Sequence, residues 1–270
     1  MSEPRQGRII WRELLSVRPE AAADFYRELF GWSVTEGRGQ RWLWQGRSRI
    51  AGLSPLPADG VATPASVWLV YVTVDDLAAT LDGARRRGIA AAAGPVVDAT
   101  SKSRFAVLGH RRGALTAPIE HDDAAARPAE PAPARGADGR AIPMPPVGHF
   151  CWHQLNSGES DLAAFETDFA TLFGWKLDQR TNGSAQRGTF YVDGVPVAGL
   201  HTMPEKADAP DHWLPFVRVA DVRAAAAEAA ANDGRVMVAP RQHPAGAAHG
   251  AFAVLADPTG GVVGVADIAA

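Results

Sequence analysis

Two short motifs carry the polar side chains that are best placed for chemistry. The first is W-x-E-L at residues 11–14, and the second is W-x-Q-L at residues 152–155. Both lie in apolar runs typical of β-strands, whose side chains alternate between two faces. Glu13 is therefore expected on the same face as Trp11, and Gln154 on the same face as Trp152.

Glu13 is the candidate catalytic residue. A carboxyl group buried beside an indole without a cation has a raised pKa, and it could then act as a general acid or base near neutral pH. The alternative is that Glu13 pairs with Arg12, Arg49 or another arginine and only holds the strands in register. The sequence leaves both interpretations open. Gln154 cannot titrate, so any proton transfer is expected on the Glu13 side alone.

Aromatic residues on later strands complete a candidate ligand site. Tyr71 shares a strand face with Leu69, and Phe216 shares one with Leu214. Trp42, on a short strand, is expected to form either a lid or an exposed edge. Rings and aliphatic side chains with a few polar groups are typical of small-molecule sites. The predicted ligand-binding residues are Trp11, Glu13 and Tyr71 in the first half of the chain, and Trp152, Gln154 and Phe216 in the second.

The two motifs belong to an internal duplication. Four further landmarks recur: LFGW at 29–32 and 172–175, [IV]AGL at 50–53 and 197–200, WL at 68–69 and 213–214, and FAVL at 105–108 and 252–255. The offset between the copies stays between 141 and 147 residues. A repeat whose offset drifts this little indicates a genuine duplication, with the drift confined to loops.

The LFGW motif is expected to serve packing and capping rather than chemistry. Pro19 is suited to the first turn of a helix, and apolar residues follow at helical spacing as far as Phe30. Gly31 then stands where a left-handed C-cap belongs, and Trp32 begins the next strand.

Composition divides the chain into two similar domains joined by a linker. Residues 122–147 are rich in alanine, proline and charge and have no apolar period, which is typical of an extended linker. We therefore expect a first domain at 1–121, a linker at 122–147 and a second domain at 148–270.

Bulk properties exclude several classes of function. The formal net charge of −3 gives no electrostatic footprint for nucleic acid or an anionic membrane. No apolar run is long enough to span a bilayer, and the N-terminus has no apolar core of a secretory signal. The single cysteine, Cys151, rules out an intramolecular disulfide and suits a reducing compartment. A cytoplasmic protein with neither nucleic-acid nor membrane partners is expected.

Taken together, these motifs resemble the vicinal oxygen chelate superfamily. The resemblance rests on W-x-[E/Q]-L, on a helix that ends in [Y/F]-x-x-L-F-G-W, and on FAVLADPTGG at 252–261. That superfamily includes glyoxalase I, bleomycin-resistance proteins and extradiol dioxygenases, and the likeness is strongest to bacterial proteins with two fused domains. It implies an α+β fold of four βαβββ modules, paired into two cupped mixed sheets with helices on the outside. It also makes a monomer feasible, because the domains can pair within one chain.

The resemblance further implies a divalent metal held by His, Gln or Glu in each domain. None of the equivalent side chains here has a donor atom for a metal; they are Trp11, Ala51 or Gly52, Leu69 and Ala117 in the first half, and Trp152, Ala198 or Gly199, Leu214 and Gly264 in the second. We therefore expect neither a metal nor another cofactor.

Three other side chains invite a metal site elsewhere. His149, Cys151 and His153 alternate along one strand, so they share a face. That face is opposite to Trp152 and Gln154, and structural roles for the two histidines are the favoured interpretation.

These observations lead to three hypotheses for the function. The first is a metal-independent protein that binds an aromatic or natural-product-like small molecule. The second is a metal-free lyase, isomerase or cyclase in which Glu13 transfers protons. The third, a metal-dependent lyase or dioxygenase, is disfavoured by the missing donor atoms.

Overall fold

The structure is a computed structural model that describes most of the chain. The described residues are 6–37, 39–56, 65–98, 102–110, 112–121, 145–158, 162–182, 185–203, 209–243 and 250–268. The predicted linker at 122–147 lies outside the described residues except for its last three positions.

Helices and strands follow the same order twice. The helices are α1 (Pro19–Phe30), α2 (Leu77–Arg86), α3 (Leu162–Phe173) and α4 (Val222–Ala231). The first half contains β1 (Ile9–Ser16), β2 (Ser33–Gly37), β3 (Gln40–Gln45), β4 (Ser48–Pro55), β5 (Val67–Thr73), β6 (Ala90–Val97), β7 (Arg104–Gly109) and β8 (Leu115–Glu120). The second half contains β9 (Phe150–Ser157), β10 (Lys176–Asn182), β11 (Ala185–Val192), β12 (Val195–Thr202), β13 (His212–Arg218), β14 (Arg235–Gln242), β15 (Ala251–Ala256) and β16 (Val262–Ala266). Four βαβββ modules result, as the resemblance implied.

Each half of the chain forms one mixed sheet of eight strands. The strand order is β2-β3-β4-β1-β5-β8-β7-β6 in the first sheet and β10-β11-β12-β9-β13-β16-β15-β14 in the second. The strands pair in parallel between β1 and β4, β5 and β8, β9 and β12, and β13 and β16. The outer strands are antiparallel. The α+β class and the mixed sheets are therefore confirmed.

Within each module, one face of the strands packs on the helix. Leu14 of β1 belongs to the same buried cluster as Phe25 and Tyr26 of α1. Because side chains alternate along a strand, Glu13 lies on the opposite face, which we call the helix-free face. The same reasoning places three further residues on this face, since their strand neighbours cluster with α2, α3 and α4; these residues are Tyr71, Gln154 and Phe216.

The chain divides into two compact units that each combine both halves. Unit 1 comprises Met1–Trp11, Leu69–Ile142 and His153–Trp213. Unit 2 comprises Arg12–Trp68, Pro143–Trp152 and Leu214–Ala270. Helices α2 and α3 therefore contact each other in unit 1, and α1 and α4 do so in unit 2. Modules from the two halves of the duplication thus pair within one polypeptide.

The repeated LFGW motif has the structural role that the sequence predicts. Helix α1 begins at Pro19, and Gly31 caps it with a φ of 71°. Trp32 and Trp175 are among the largest fully buried side chains. The Trp32 indole Nε1 donates a hydrogen bond to the Gly148 carbonyl over 2.8 Å, and Trp175 Nε1 donates to the Gly7 carbonyl over 2.7 Å. Each indole thus secures the chain just before the first strand of the other half.

Within the described residues, no helix is long and apolar enough to cross a membrane.

Candidate functional site

Glu13 lies on the helix-free face of β1, where a glycine leaves space beside it. It is in register with Gly52 of β4. A Cβ atom added at Gly52 would lie only 3.1 Å from Glu13 Cγ, so the carboxylate side chain leans over the glycine. Ser54, two residues further along β4, donates a hydrogen bond from Oγ to Glu13 Oε1. The glycine and the serine together fix where this carboxylate stands.

An indole lies next to this position on the neighbouring strand. Trp42 of β3 is in register with Gly52, so its side chain projects from the same side of the sheet as Glu13. The Arg49 guanidinium lies 5.6 Å from the centre of the Trp42 ring, at cation–π distance. The sequence left Trp42 as a lid or an exposed edge; the structure places it in the sheet beside the glycine.

Arg12 faces the other way and is used in the core. Its side chain is buried, its Nη1 donates a 3.0 Å hydrogen bond to the Ile50 carbonyl, and its guanidinium lies 4.5 Å from the centre of the Phe150 ring. Burial lowers the pKa of Arg12 to about 9. Since consecutive residues of a strand point to opposite faces, Arg12 is not placed to pair with the carboxylate of Glu13.

A pair of aromatic rings recurs at equivalent positions in the two halves. Tyr71 of β5 meets Phe105 of β7 edge to face, with ring centroids 5.4 Å apart. Phe216 of β13 meets Phe252 of β15 in the same way at 6.5 Å. Trp152 packs against the buried cluster that contains Phe216. The sequence predicted Tyr71 and Phe216 but missed their partners, although Phe105 and Phe252 each open a copy of the repeated FAVL.

Gln154 heads a chain of hydrogen-bonded side chains in unit 1. Its Nε2 donates to Asn156 Oδ1 over 2.7 Å, and Asn156 Nδ2 lies 3.1 Å from His212 Nε2. His212 Nδ1 in turn lies 3.0 Å from the Pro210 carbonyl oxygen. Burial lowers the pKa of His212, against the smaller effects of that carbonyl and of Asp211. The sequence gave His212 no role; the available signal was Asn156, which lies two residues after Gln154 on the same face.

The predicted residues are thus placed in different parts of the two units. Trp11 is half-buried on β1 in unit 1, whereas Glu13 belongs to unit 2. Tyr71 and Gln154 belong to unit 1, and Trp152 and Phe216 belong to unit 2. Their joint role in binding stays a prediction.

Comparison with known proteins identifies the family to which this chain belongs. The profile of the Glyoxalase/Bleomycin resistance protein/Dioxygenase superfamily matches residues 8–118 and 153–264. The chain belongs to this superfamily. The two matches coincide with the two halves of the duplication, so this glyoxalase-superfamily protein carries the family domain twice.

Relatives and solved structures match along almost the whole chain. The protein is 26% identical over 271 residues to "Putative glyoxylase CFP32" of Mycobacterium tuberculosis (strain CDC 1551 / Oshkosh), and the match covers 98% of this chain and 96% of that protein. The Mn(II)-bound glyoxalase of Novosphingobium aromaticivorans is 14% identical with a TM-score of 0.64, over 97% of this chain and 82% of that one. The 2,2',3-trihydroxybiphenyl 1,2-dioxygenase of Sphingomonas wittichii strain RW1 is 15% identical with a TM-score of 0.63, over 97% and 90%. The likeness to the two solved structures shows the fold.

In the part of the chain that the structure describes, the side chains of this superfamily member do not fit the metal that the fold implies. Among the described residues, no three His, Cys, Asp or Glu side chains lie close enough to share an ion. At Gly264, where the resemblance leads one to expect a ligand glutamate, a Cβ atom would lie 2.4 Å from the Phe216 ring. A glutamate can stand there only if Phe216 moves, so the ring occupies the space of the missing ligand.

The alternative trio around Cys151 is no better suited to a metal. Burial raises the pKa of the Cys151 thiol to about 12, whereas metals bind the thiolate. His153 is buried as well. The structural interpretation of these side chains is therefore the better supported one.

Proposed function

We propose that this protein binds a planar aromatic small molecule on the helix-free faces of its two halves, without a metal ion. The observation that carries this proposal is the duplicated ring pair, Tyr71 with Phe105 and Phe216 with Phe252. Aromatic side chains offer a large apolar area with a defined geometry for a further ring. Each unit also contains one hydrogen-bonded polar pair, which is Gln154 with Asn156 in unit 1 and Glu13 with Ser54 in unit 2. This mixture is typical of ligand sites.

The donor set and the relatives support the same choice of ligand. The positions where the superfamily holds a metal carry aromatic, aliphatic or glycine residues here. The affinity for the ligand must therefore come from packing and hydrogen bonds. The dioxygenase of Sphingomonas wittichii is named for a trihydroxybiphenyl, which is a phenolic ring compound. A simple phenol such as 2-naphthol is therefore a suitable first probe.

A titration with 2-naphthol, followed by tryptophan fluorescence, tests the proposal. Tyr71→Leu and Phe216→Leu each replace a buried ring by an aliphatic side chain. Each substitution should weaken binding to its half about fivefold to tenfold, because an aromatic pair contributes about 1 kcal/mol beyond area burial. Met237→Ala, at a side chain that is 53% exposed on β14, serves as the control and should change nothing. Binding that is indifferent to both ring substitutions would remove the proposal.

Proton transfer by Glu13 is a second candidate function. It is favoured by the placement of the carboxylate, because Ser54 engages Oε1 and the side chain packs over Gly52 on the helix-free face. A positioned carboxylate of this kind can move a proton in a metal-free lyase, isomerase or cyclase.

Glu13→Gln separates the enzyme from the binding protein. The amide keeps the shape of the side chain and copies Gln154, but it cannot transfer a proton. On any substrate that the wild type converts, turnover should fall about 100-fold or more, while binding of 2-naphthol stays within about threefold. Met237→Ala, at an exposed side chain outside the proposed site, is the control and should leave turnover intact. An unchanged rate in Glu13→Gln would exclude Glu13 as the proton-transfer group.

A further inference from the structure

The hydrogen-bonded chain from Gln154 to Pro210 has a fixed direction. A backbone carbonyl can only accept a hydrogen bond, so the 3.0 Å contact between Pro210 O and His212 Nδ1 requires the N–H at Nδ1. A neutral imidazole has one N–H, which leaves Nε2 as an acceptor. The lowered pKa of His212 keeps the ring neutral at ordinary pH.

This tautomer determines how the two amides are oriented. Because His212 Nε2 accepts, Asn156 must turn its Nδ2 toward the ring and its Oδ1 toward Gln154. Gln154 must then donate from Nε2 to Asn156, which turns Gln154 Oε1 to the other side of its amide group. The Pro210 carbonyl therefore sets, three links away, which atom Gln154 offers to its surroundings.

We propose that His212 is a positioning residue that acts through Asn156 to make Gln154 present its carbonyl oxygen on the helix-free face. The second half of the chain then selects ligands that carry a hydroxyl or N–H donor at this point. The selection rests on the proposed function, because it requires a ligand on that face. An amide group that was free to turn could form hydrogen bonds with donor and acceptor groups of a ligand alike. An amide held in one orientation discriminates between them.

The relay distinguishes the second half from the first. By the offsets of the duplication, Leu15 and Val67 stand where the second half has Asn156 and His212. In the first half the polar side chain is instead held by Ser54, whose Oγ donates to Glu13. The two halves therefore use different devices to fix a polar group on equivalent strands.

The charged groups around His212 are themselves engaged. Asp211 accepts hydrogen bonds from Ser157 Oγ over 2.7 Å and Gly158 N over 2.9 Å, and Arg112 Nε lies 3.2 Å away from it. His201 of β12 is in register with Asn156 and is the other titratable group on a neighbouring strand. Any titration of His212 is therefore to be measured with His201 assigned separately.

Nitrogen NMR of the ligand-free wild-type protein tests the relay first. The ¹⁵N shifts of His212 should show a protonated Nδ1 and an unprotonated Nε2; the opposite tautomer overturns the proposal. In Asn156→Asp the new carboxylate has no N–H to offer Nε2, so only the doubly protonated ring fits. The pKa of His212 should rise by about one unit or more in this variant. Asn156→Leu, the neutral control, should give no such rise.

A pair of matched ligands then tests the selection. Titrations of 2-naphthol and of 2-methoxynaphthalene, which lacks the O–H donor, are followed at the side-chain amide resonances of Gln154. The wild type should bind 2-naphthol about fivefold more tightly, the worth of one hydrogen bond. In His212→Phe this ratio should fall to less than about twofold. A ratio that persists in His212→Phe overturns the relay, whereas resonances that neither ligand moves would overturn the proposed ligand site and leave the tautomer measurement to decide the relay.

Discussion

Lowering the pH from 7 to 4 should reduce the free energy of unfolding of the wild-type protein by about 3 kcal/mol more than that of a His110→Gln variant. His110 is buried in unit 1, where its ring stacks on Phe169 at a centroid distance of 5.0 Å. Its Nε2 lies 3.2 Å from Thr116 Oγ1, which also accepts a 3.0 Å hydrogen bond from Trp213 Nε1. The Thr116 hydroxyl is thus available to donate to Nε2 of a neutral His110 ring.

The sign of this effect follows from the direction of the pKa shift. Burial lowers the pKa of His110 from 6.5 to about 4, although nearby Asp168 and Asp211 partly oppose the shift. The unfolded chain therefore takes up a proton at a higher pH than the folded one. The stability linked to the neutral ring is present above pH 6.5 and is lost as the pH falls from 6.5 through about 4. A shift of this size corresponds to about 3 kcal/mol.

Urea unfolding at pH 7, 5.5 and 4 measures this difference. His243→Gln is the matched control, because His243 is exposed and its replacement should leave the pH dependence of the wild type unchanged. Equal pH dependence of the wild type and His110→Gln would show that His110 does not titrate in this way. Asp257 takes the place of His110 in the second half, where it accepts a 3.0 Å hydrogen bond from Tyr26, so the equivalent position there holds no histidine.

Trp175→Ala should lower the free energy of unfolding by about 4 kcal/mol. The Trp175 side chain is fully buried and stacks on Phe169 with ring centroids 5.1 Å apart. Its removal would leave a large cavity in the core of unit 1 and take the hydrogen bond from the Gly7 carbonyl. Losses of this kind cost about 3–5 kcal/mol for a buried tryptophan.

Two further tryptophans provide comparisons for this variant. Trp32→Ala should cost a similar amount, because Trp32 has the same burial and an equivalent hydrogen bond to Gly148. Trp42→Ala, at a half-buried position of β3, should cost about 1 kcal/mol or less. Denaturant unfolding of the three variants measures the differences. A loss below about 1.5 kcal/mol in Trp175→Ala would contradict the role assigned to the LFGW motif.

The sequence predicted the fold because the duplication repeats features that depend only on local order. Strand periodicity, the glycine cap after α1 and the apolar helix stripe are each written within a dozen residues, and Gly31 and Trp32 behave in the structure as these features predict. The family profile then confirmed the resemblance over both halves. The sequence also indicated which strand face carries Glu13, since alternation alone decides this.

The partners of the site residues were beyond such reasoning because they depend on strand order and register. Phe105 meets Tyr71 only because β7 lies next to β8, which is paired with β5. Trp42 lies beside Gly52 because of the register between β3 and β4, which shifts at a bulge directly after Leu43. His212 joins Gln154 through a side chain on a different strand. The joining of modules from opposite halves in each compact unit is likewise a long-range property that periodicity does not encode.

The most direct test of the central claim is a calorimetric titration of 2-naphthol into EDTA-treated protein, repeated after addition of Mn²⁺ or Zn²⁺. If packing and hydrogen bonds alone hold the ligand, its affinity should be the same in all three samples and neither ion should bind stoichiometrically. Binding that disappears with the chelator and returns with the ion would contradict the account.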